Sequence, residues 1–230
     1  SENKWGQSKI KLEIYFYSDP IYSLAPPGKM TKKLNHINIG GRAVVPSKII
    51  CIGRNYVGHV AELGNEVADE MVVFMKSNSA ISGELFAMHQ QAELHYEGEL
   101  CFVYENGAVS AVGFGLDLTK RALQGKLKAK GLPWERAKAF DGAAVLSHFV
   151  PFTGDLGGLS FDLSINGRVM QVGNIGLMMY PPDVIQAELA HFLHLFDGDV
   201  VMTGTPAGVG VIQAGDVFSA RVSNQDEVLL

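Results

Sequence analysis

Cysteine, long apolar runs and positive charge are all scarce in this chain. Its two cysteines, Cys51 and Cys101, sit apart in strand-like apolar runs with no C-x-x-C spacing. That argues against a disulfide framework or a cysteine zinc site and fits buried free thiols in a reducing compartment. No apolar stretch approaches the ~20 residues of a membrane-spanning helix. The first residues mix Glu2, Lys4, Lys9, Lys11 and Glu13 among apolar ones, which leaves no secretory h-region. Bases number 19 against 24 acids, a formal charge of −5, whereas a nucleic-acid binder carries a basic excess. The expectation is a soluble, cytoplasmic protein with neither nucleic acid nor membrane as a partner.

What the chain does contain is enough apolar material for a core. Hydrophobic residues make up 47% of the 230 and charged ones only 19%, the balance of a folded domain. From Val45 onward, short strand-like runs alternate with Gly and Pro: Lys48–Gly53, Met71–Lys76, Glu93–Tyr104, Ala108–Leu118, Asp199–Thr203 and Asp216–Val222. Asn166-Gly167 between Leu159–Ile165 and Arg168–Val172 predicts a hairpin with a type I′ turn. A short helix is expected from about Tyr56 to Leu63, stopping at Gly64. A second should cover Lys120–Lys130 and end at Gly131. A third, from about Asp183 to Phe196, is read from the helical spacing of Val184, Ile185, Leu189, Phe192, Leu193 and Phe196. Strands cluster instead of alternating with helices, so residues 45–230 read as one β-rich α+β domain. Residues 1–44 read as an N-terminal extension. Alternating Ile10, Leu12, Ile14 and Phe16 make its first 29 residues either an added β element or appended leader sequence.

The strongest chemical feature is His95-Tyr96-Glu97-Gly98-Glu99. In a strand Glu97 and Glu99 point to the same face, ~6–7 Å apart. Two such carboxylates in an apolar strand either face water or share a cation, because like charges out of water repel. Oxygen-only ligation would suit Mg²⁺, Mn²⁺ or Ca²⁺. Asp117, alone in the apolar Gly115–Leu118 run, either caps the following helix or completes a metal triad. His59 and Glu62 share a helical face, as an ordinary surface pair or as a general base held by a carboxylate. The loop Thr203–Gly210 lacks the lysine and spacing of a P-loop and opens no helix. Its glycines permit close backbone approach, and its hydroxyls could hold a carboxylate. Lys120–Lys138 carries seven bases against one acid. That is either a solvated face or one from which Arg121, Gln124 and Lys138 meet an anion.

Five segments taken together resemble the fumarylacetoacetate hydrolase family, in particular its small members acting on acylpyruvates and oxaloacetate. They are GRNYVGHVAELG (53–64), HYEGEL (95–100), GLDLTKR (115–121), GLPWERAKAFD (131–141) and GDVVMTGTPAGVG (198–210). Each is weak alone, and the five in register are specific. The resemblance implies a β-roll or sandwich of mixed sheets, in a homodimer. It implies Glu97, Glu99 and Asp117 as ligands to Mg²⁺, with Mn²⁺ or Ca²⁺ as substitutes. His59 with Glu62 would be the catalytic dyad and Lys138 the active-site lysine. Arg121, Gln124 and Thr205 would contact a small anionic 2-keto acid. The implied reaction is metal-dependent hydrolysis of the C–C bond of acylpyruvates to pyruvate and a carboxylic acid. The alternatives are oxaloacetate decarboxylation or keto–enol tautomerisation through the same enolate, a related 2-hydroxy-dienoate isomerase or decarboxylase, and a non-catalytic metal-binding scaffold. Two positions depart from the family pattern: Ala122 where close relatives carry a second acid after Arg121, and Ser77 where many have Pro.

Overall fold

The short apolar runs become strands, and the Gly- and Pro-bearing segments between them become turns. The computed structural model describes residues 14–19, 33–62, 69–225 and 227–229. Most of the 1–29 segment, and the expected helix stop at Leu63 and Gly64, lie outside the described residues. In chain order the elements that position the site are β1 (Ile14–Asp19), β2 (Lys48–Gly53), α1 (Val57–Glu62), β3 (Val72–Ser77), β4 (Gly98–Glu105), β5 (Ala108–Asp117) and α2 (Arg121–Ala129). They are followed by α3 (Glu135–Lys138), β6 (Ala144–Leu146), β7 (Leu159–Ile165), β8 (Arg168–Asn174), α4 (Pro182–Leu189), β9 (Val200–Met202) and β10 (Val217–Asn224).

Two mixed sheets carry the fold, as expected of a β-rich α+β chain. An eight-stranded sheet runs β3-β2-β9-β4-β5-β6 and ends on Ile81–Ser82, with Val150–Pro151 paired to β5 off this path as its eighth strand. A six-stranded sheet runs β8-β7-β10-β1 and ends on Leu85–Phe86. β2 and β9 are parallel, while β4 is antiparallel to both β9 and β5. β1 lies antiparallel to β10, with Ile14 opposite Ala220, so part of the N-terminal segment is a sheet element. The β7–β8 hairpin turns through Asn166 (φ 51°) and Gly167 (φ 79°), both left-handed as a type I′ turn requires.

The two sheets face each other across one apolar cluster that includes Ile50, Phe102, Phe114, Phe161, Leu163 and Phe218. A second cluster, with Ile49, Cys51, Cys101, Val103 and Met202, covers the opposite face of the larger sheet. Consecutive residues of β2 and β4 therefore enter different clusters, and both faces of these strands are buried. Among the described residues no helix is long and apolar enough to cross a membrane.

Three expectations change. The third helix stops at Leu189: Phe192 and Phe196 are exposed, and the Phe196 amide donates to Asp199 Oδ2 at 2.9 Å, off the helical path. The expected Glu93–Tyr104 strand breaks at Leu94 and again at Glu97, because Ala92–Glu93 pairs with Met88–His89, His95–Tyr96 with Gly210–Val211, and β4 with β5 and β9. Asp117 does not cap α2, whose N-cap position is Lys120.

Candidate active site

The second strand break and the end of β5 bring three acids together. Glu97 occupies the break, Glu99 follows in β4, and Asp117 ends β5. The registers Gly98↔Leu116 and Glu99↔Gly115 set them side by side. They are 6%, 2% and 1% exposed, and one oxygen from each lies within 4.8 Å of the others. Three carboxylates withdrawn from water need cations or hydrogen-bond donors beside them.

Lys138, from α3, donates to Glu97 Oε2 at 2.8 Å and Asp117 Oδ2 at 2.7 Å, and to Thr119 Oγ1 at 2.6 Å. Arg121 pairs with Glu97 and donates to Gln124 Oε1 at 2.9 Å. Gln124 thus steadies the guanidinium that the residue before Ala122 offers. Lys76, the buried residue at the end of β3, approaches Asp117 Oδ1 to 2.8 Å and donates to the Lys138 carbonyl.

These neighbours push the acids apart. Burial would raise Glu97, yet Lys138 and Arg121 hold its carboxyl well below the usual range. Glu99 is raised well above it, by burial first and then by Asp117 and Glu97. Burial works against the Lys138 charge, but Asp117 and Glu97 outweigh it and raise its pKa.

The donor set fits a hard divalent ion. All three ligating groups offer oxygen. Asp117 Oδ1 is buried and accepts no hydrogen bond despite the nearby Lys76 ammonium. Glu99 forms no ion pair among the described residues, its Oε2 accepting from the Gly204 amide. A cavity of about 30 Å³ adjoins the cluster and is lined also by His59, Lys128, Trp134 and Thr205. That is room for one ion or water.

The Thr203–Gly210 loop holds two of the chain's own carboxylates through its backbone amides. The Gly204 amide donates to Glu99 Oε2 at 2.7 Å, and the Gly208 amide donates to both oxygens of Glu62 at 3.0 and 3.1 Å. Both glycines have left-handed φ, +95° and +101°. A Cβ on Gly208 would fall 2.1 Å from the Met170 carbonyl oxygen. Thr205 Oγ1 accepts from Gln171 Nε2 at 2.8 Å.

On α1, His59 Nδ1 stands 3.5 Å from Glu62 Oε2, and the His59 side chain is buried while Glu62 is partly exposed. Burial lowers the His59 pKa, although Glu97 and Glu62 oppose it. A neutral imidazole therefore faces the same cavity as the three acids.

All nine expected site residues gather in this region. Lys76, Gln171 and the two glycine amides were missed. Lys76 left one signal, a cation in period-two register with Val72 and Phe74. Gln171, in β8, left none. A separate open cleft of about 870 Å³, lined by His89, His95, Lys120, Arg136 and Phe140, shares Arg121 with the site.

A sequence model described as "Fumarylacetoacetate (FAA) hydrolase C-terminal" matches residues 48–228. The chain is 38% identical over 187 residues to oxaloacetate tautomerase YcgM of Escherichia coli, covering 74% of this chain and 85% of that protein. It is 32% identical over 197 residues to a mitochondrial oxaloacetate decarboxylase of Dictyostelium discoideum, covering 78% and 90%. Its fold is similar to a crystal structure of fumarylpyruvate hydrolase from Pseudomonas aeruginosa in complex with Mn²⁺ and pyruvate. The TM-score is 0.74 at 27% identity, covering 85% of this chain and 93% of that one.

Proposed function

Because the chain belongs to the fumarylacetoacetate hydrolase family, we propose that it is a divalent-metal-dependent enzyme of small 2-keto acids that interconverts the keto and enol forms of oxaloacetate. The observation that carries this reading is the convergence of three buried carboxylates and a neutral histidine on one cavity. Glu97, Glu99 and Asp117 would hold the ion, with Mg²⁺ the first choice and Mn²⁺ and Ca²⁺ accepted by the same oxygens. When bound, the ion supplies Lewis-acid polarisation of the 2-keto oxygen and lowers the cost of negative charge there.

The residues of the chain do the rest. His59 is neutral at pH 7 and can take a proton from C3, while Glu62 orients its ring and stabilises the imidazolium that results. Lys138 and Arg121 offset the charge that moves onto the oxygen of the enolate, and return of the proton to that oxygen completes the enol. Gln124 fixes Arg121, and Thr205, fixed by Gln171, bounds the ligand. A keto acid exceeds the roughly one-water volume of the cavity, so side chains lining it must shift to admit one. The catalytic unit is assigned to residues 45–230, with β1 as an added strand of the extension. A homodimer and a reducing compartment, the latter suiting two buried free thiols, complete the proposal; the Dictyostelium relative named above is a mitochondrial protein.

A second reading, acylpyruvate hydrolysis, is favoured by the likeness to the fumarylpyruvate hydrolase with pyruvate. There His59 would activate water against the C4 carbonyl instead of taking a proton from C3. The test is side-by-side assay of oxaloacetate tautomerisation and acetylpyruvate hydrolysis, with chelator-treated and Mg²⁺- or Mn²⁺-reloaded protein. Reversible loss on chelation is expected. His59→Ala should reduce the main activity by roughly 10²–10⁴-fold. Full activity in metal-free protein, or wild-type rates in His59→Ala, would overturn the assignment.

A further inference from the structure

Among the described residues, Lys128 of the cavity has no acid of its own. Arg121 and Lys138 pair with Glu97, and Lys138 and Lys76 with Asp117. Lys128, near the end of α2, lines the same cavity and makes no ion pair among the described residues. Its ammonium rests on the Trp134 ring, 4.9 Å from the centroid.

The path from the acid cluster to this lysine is aromatic. Lys138 Nζ lies 5.2 Å from the Phe74 centroid, and Phe74 lies 5.8 Å from Trp134. Two ammonium groups thus flank a Phe74–Trp134 wall, one engaged by the acids and one not. An apolar wall between two cations suits a ligand with a short carbon chain and two negative ends. Electrostatics agree: burial, then Arg54, Arg121 and Lys138, lower the Lys128 pKa to about 8. A half-buried ammonium crowded by cations gains most from an anion.

We infer that Lys128 binds the second carboxylate of a dicarboxylate 2-keto acid, the end remote from Glu97, Glu99 and Asp117, and so selects dianions over monocarboxylate keto acids. This rests on the proposed function, and it explains how one metal centre can favour oxaloacetate over a monocarboxylate acylpyruvate such as acetylpyruvate. The rival role is structural, with Lys128 serving only as a cover for Trp134.

Pyruvate and oxaloacetate differ by that one carboxylate. Their dissociation constants should be measured by calorimetry on metal-loaded full-length wild type, Lys128→Met and Lys128→Arg. Lys128→Met should weaken oxaloacetate about tenfold or more and leave pyruvate within about twofold. Lys128→Arg, which keeps the charge, should restore most of the loss. Lys128 faces Arg54, Arg121 and Lys138 as cations and Glu97 as the acid. Its proton is lost on raising the pH through about 8, so wild-type affinity for oxaloacetate should fall there, a limb absent from Lys128→Met and moved higher in Lys128→Arg. Equal weakening of both ligands, or unchanged oxaloacetate binding, would overturn the inference. Turnover is scored separately. Loss of selective oxaloacetate binding in Lys128→Met supports the inference even where neither ligand is converted, an outcome that refutes only the catalytic reading.

Discussion

The two sheets are built from similar residues and treat charge in opposite ways. In the larger sheet, Ile50 and Leu100 enter one apolar cluster while Ile49 and Cys101 enter the other, so neither face of its central strands β2, β4 and β9 reaches water. In the smaller sheet only alternate residues are buried: Phe161 and Leu163 of β7 point inward while Asp162 meets Arg221 on the outer face. An ion pair in the first environment has lost its water and must be matched closely. One in the second is screened and contributes little. The proposed chemistry sits on the sheet where unpaired charge costs most, which is where a cation would be held most strongly.

The sharpest way to break this contrast is at Asp117. Asp117→Asn removes one ligand charge and leaves a similar shape, with Lys76 and Lys138 still beside it. Turnover at saturating metal should fall by roughly 10³-fold or more, since the ion's Lewis-acid contribution is worth several kcal/mol. The metal dissociation constant should rise with it. Unchanged metal affinity would show that the three acids serve only to balance Lys76, Lys138 and Arg121.

The same difference between the sheets decides what could be read from the sequence. Half-buried strands such as β7 advertise themselves by alternation, and the hairpin by Asn166-Gly167. The doubly buried strands β2, β4 and β9 read as plain apolar runs, so their existence was legible but their partners were not. The break at Glu97 comes from a change of pairing partner, which no local pattern records. The site was legible where an acid or base interrupts an apolar run, as Glu97, Glu99 and Asp117 do. It was illegible where the backbone does the work: the amides of Gly204 and Gly208 have no side chain to announce them. Helical spacing misled at Phe192 and Phe196, because spacing tells which residues would share a face and not whether anything covers it.

Asp199 offers a control within the larger sheet, at the end away from the site. It is fully buried like Asp117, yet its oxygens are satisfied by the chain itself: Ser47 N and Oγ at 3.0 and 2.7 Å, Lys48 N at 3.1 Å, Phe196 N at 2.9 Å, and the Lys48 ammonium. No ion is needed there. Burial would raise its pKa, but the Lys48 and Ser47 hydrogen bonds win and lower it. A carboxylate with a depressed folded pKa stabilises above its unfolded value of about 3.9 and loses that contribution as pH falls through the folded value. Asp199→Asn should therefore cost about 2 kcal/mol near neutral pH. The gap from wild type should close on acidification below about 3.9, as followed by denaturant unfolding at several pH values. Metal affinity should be unaffected. A gap that persists in acid would mean that the carboxylate's charge is irrelevant to the clamp.

The smallest effect is expected on the wet face of the other sheet. Arg221 Nε donates to Asp162 Oδ2 at 2.9 Å across the β7–β10 pair, with side chains 47% and 27% exposed. The bond is nearly as short as those of Lys138 to Glu97 and Asp117, so geometry alone predicts a comparable contribution. Water argues otherwise: solvent screens both charges and solvates either one when the other is removed. Arg221→Ala should shift stability by less than about 1 kcal/mol, shrink further in added salt, and leave turnover and metal affinity at wild-type values. A loss as large as that of Asp199→Asn would mean that exposure does not set the worth of a charge in this fold, and the ranking of the two sheets would fall with it.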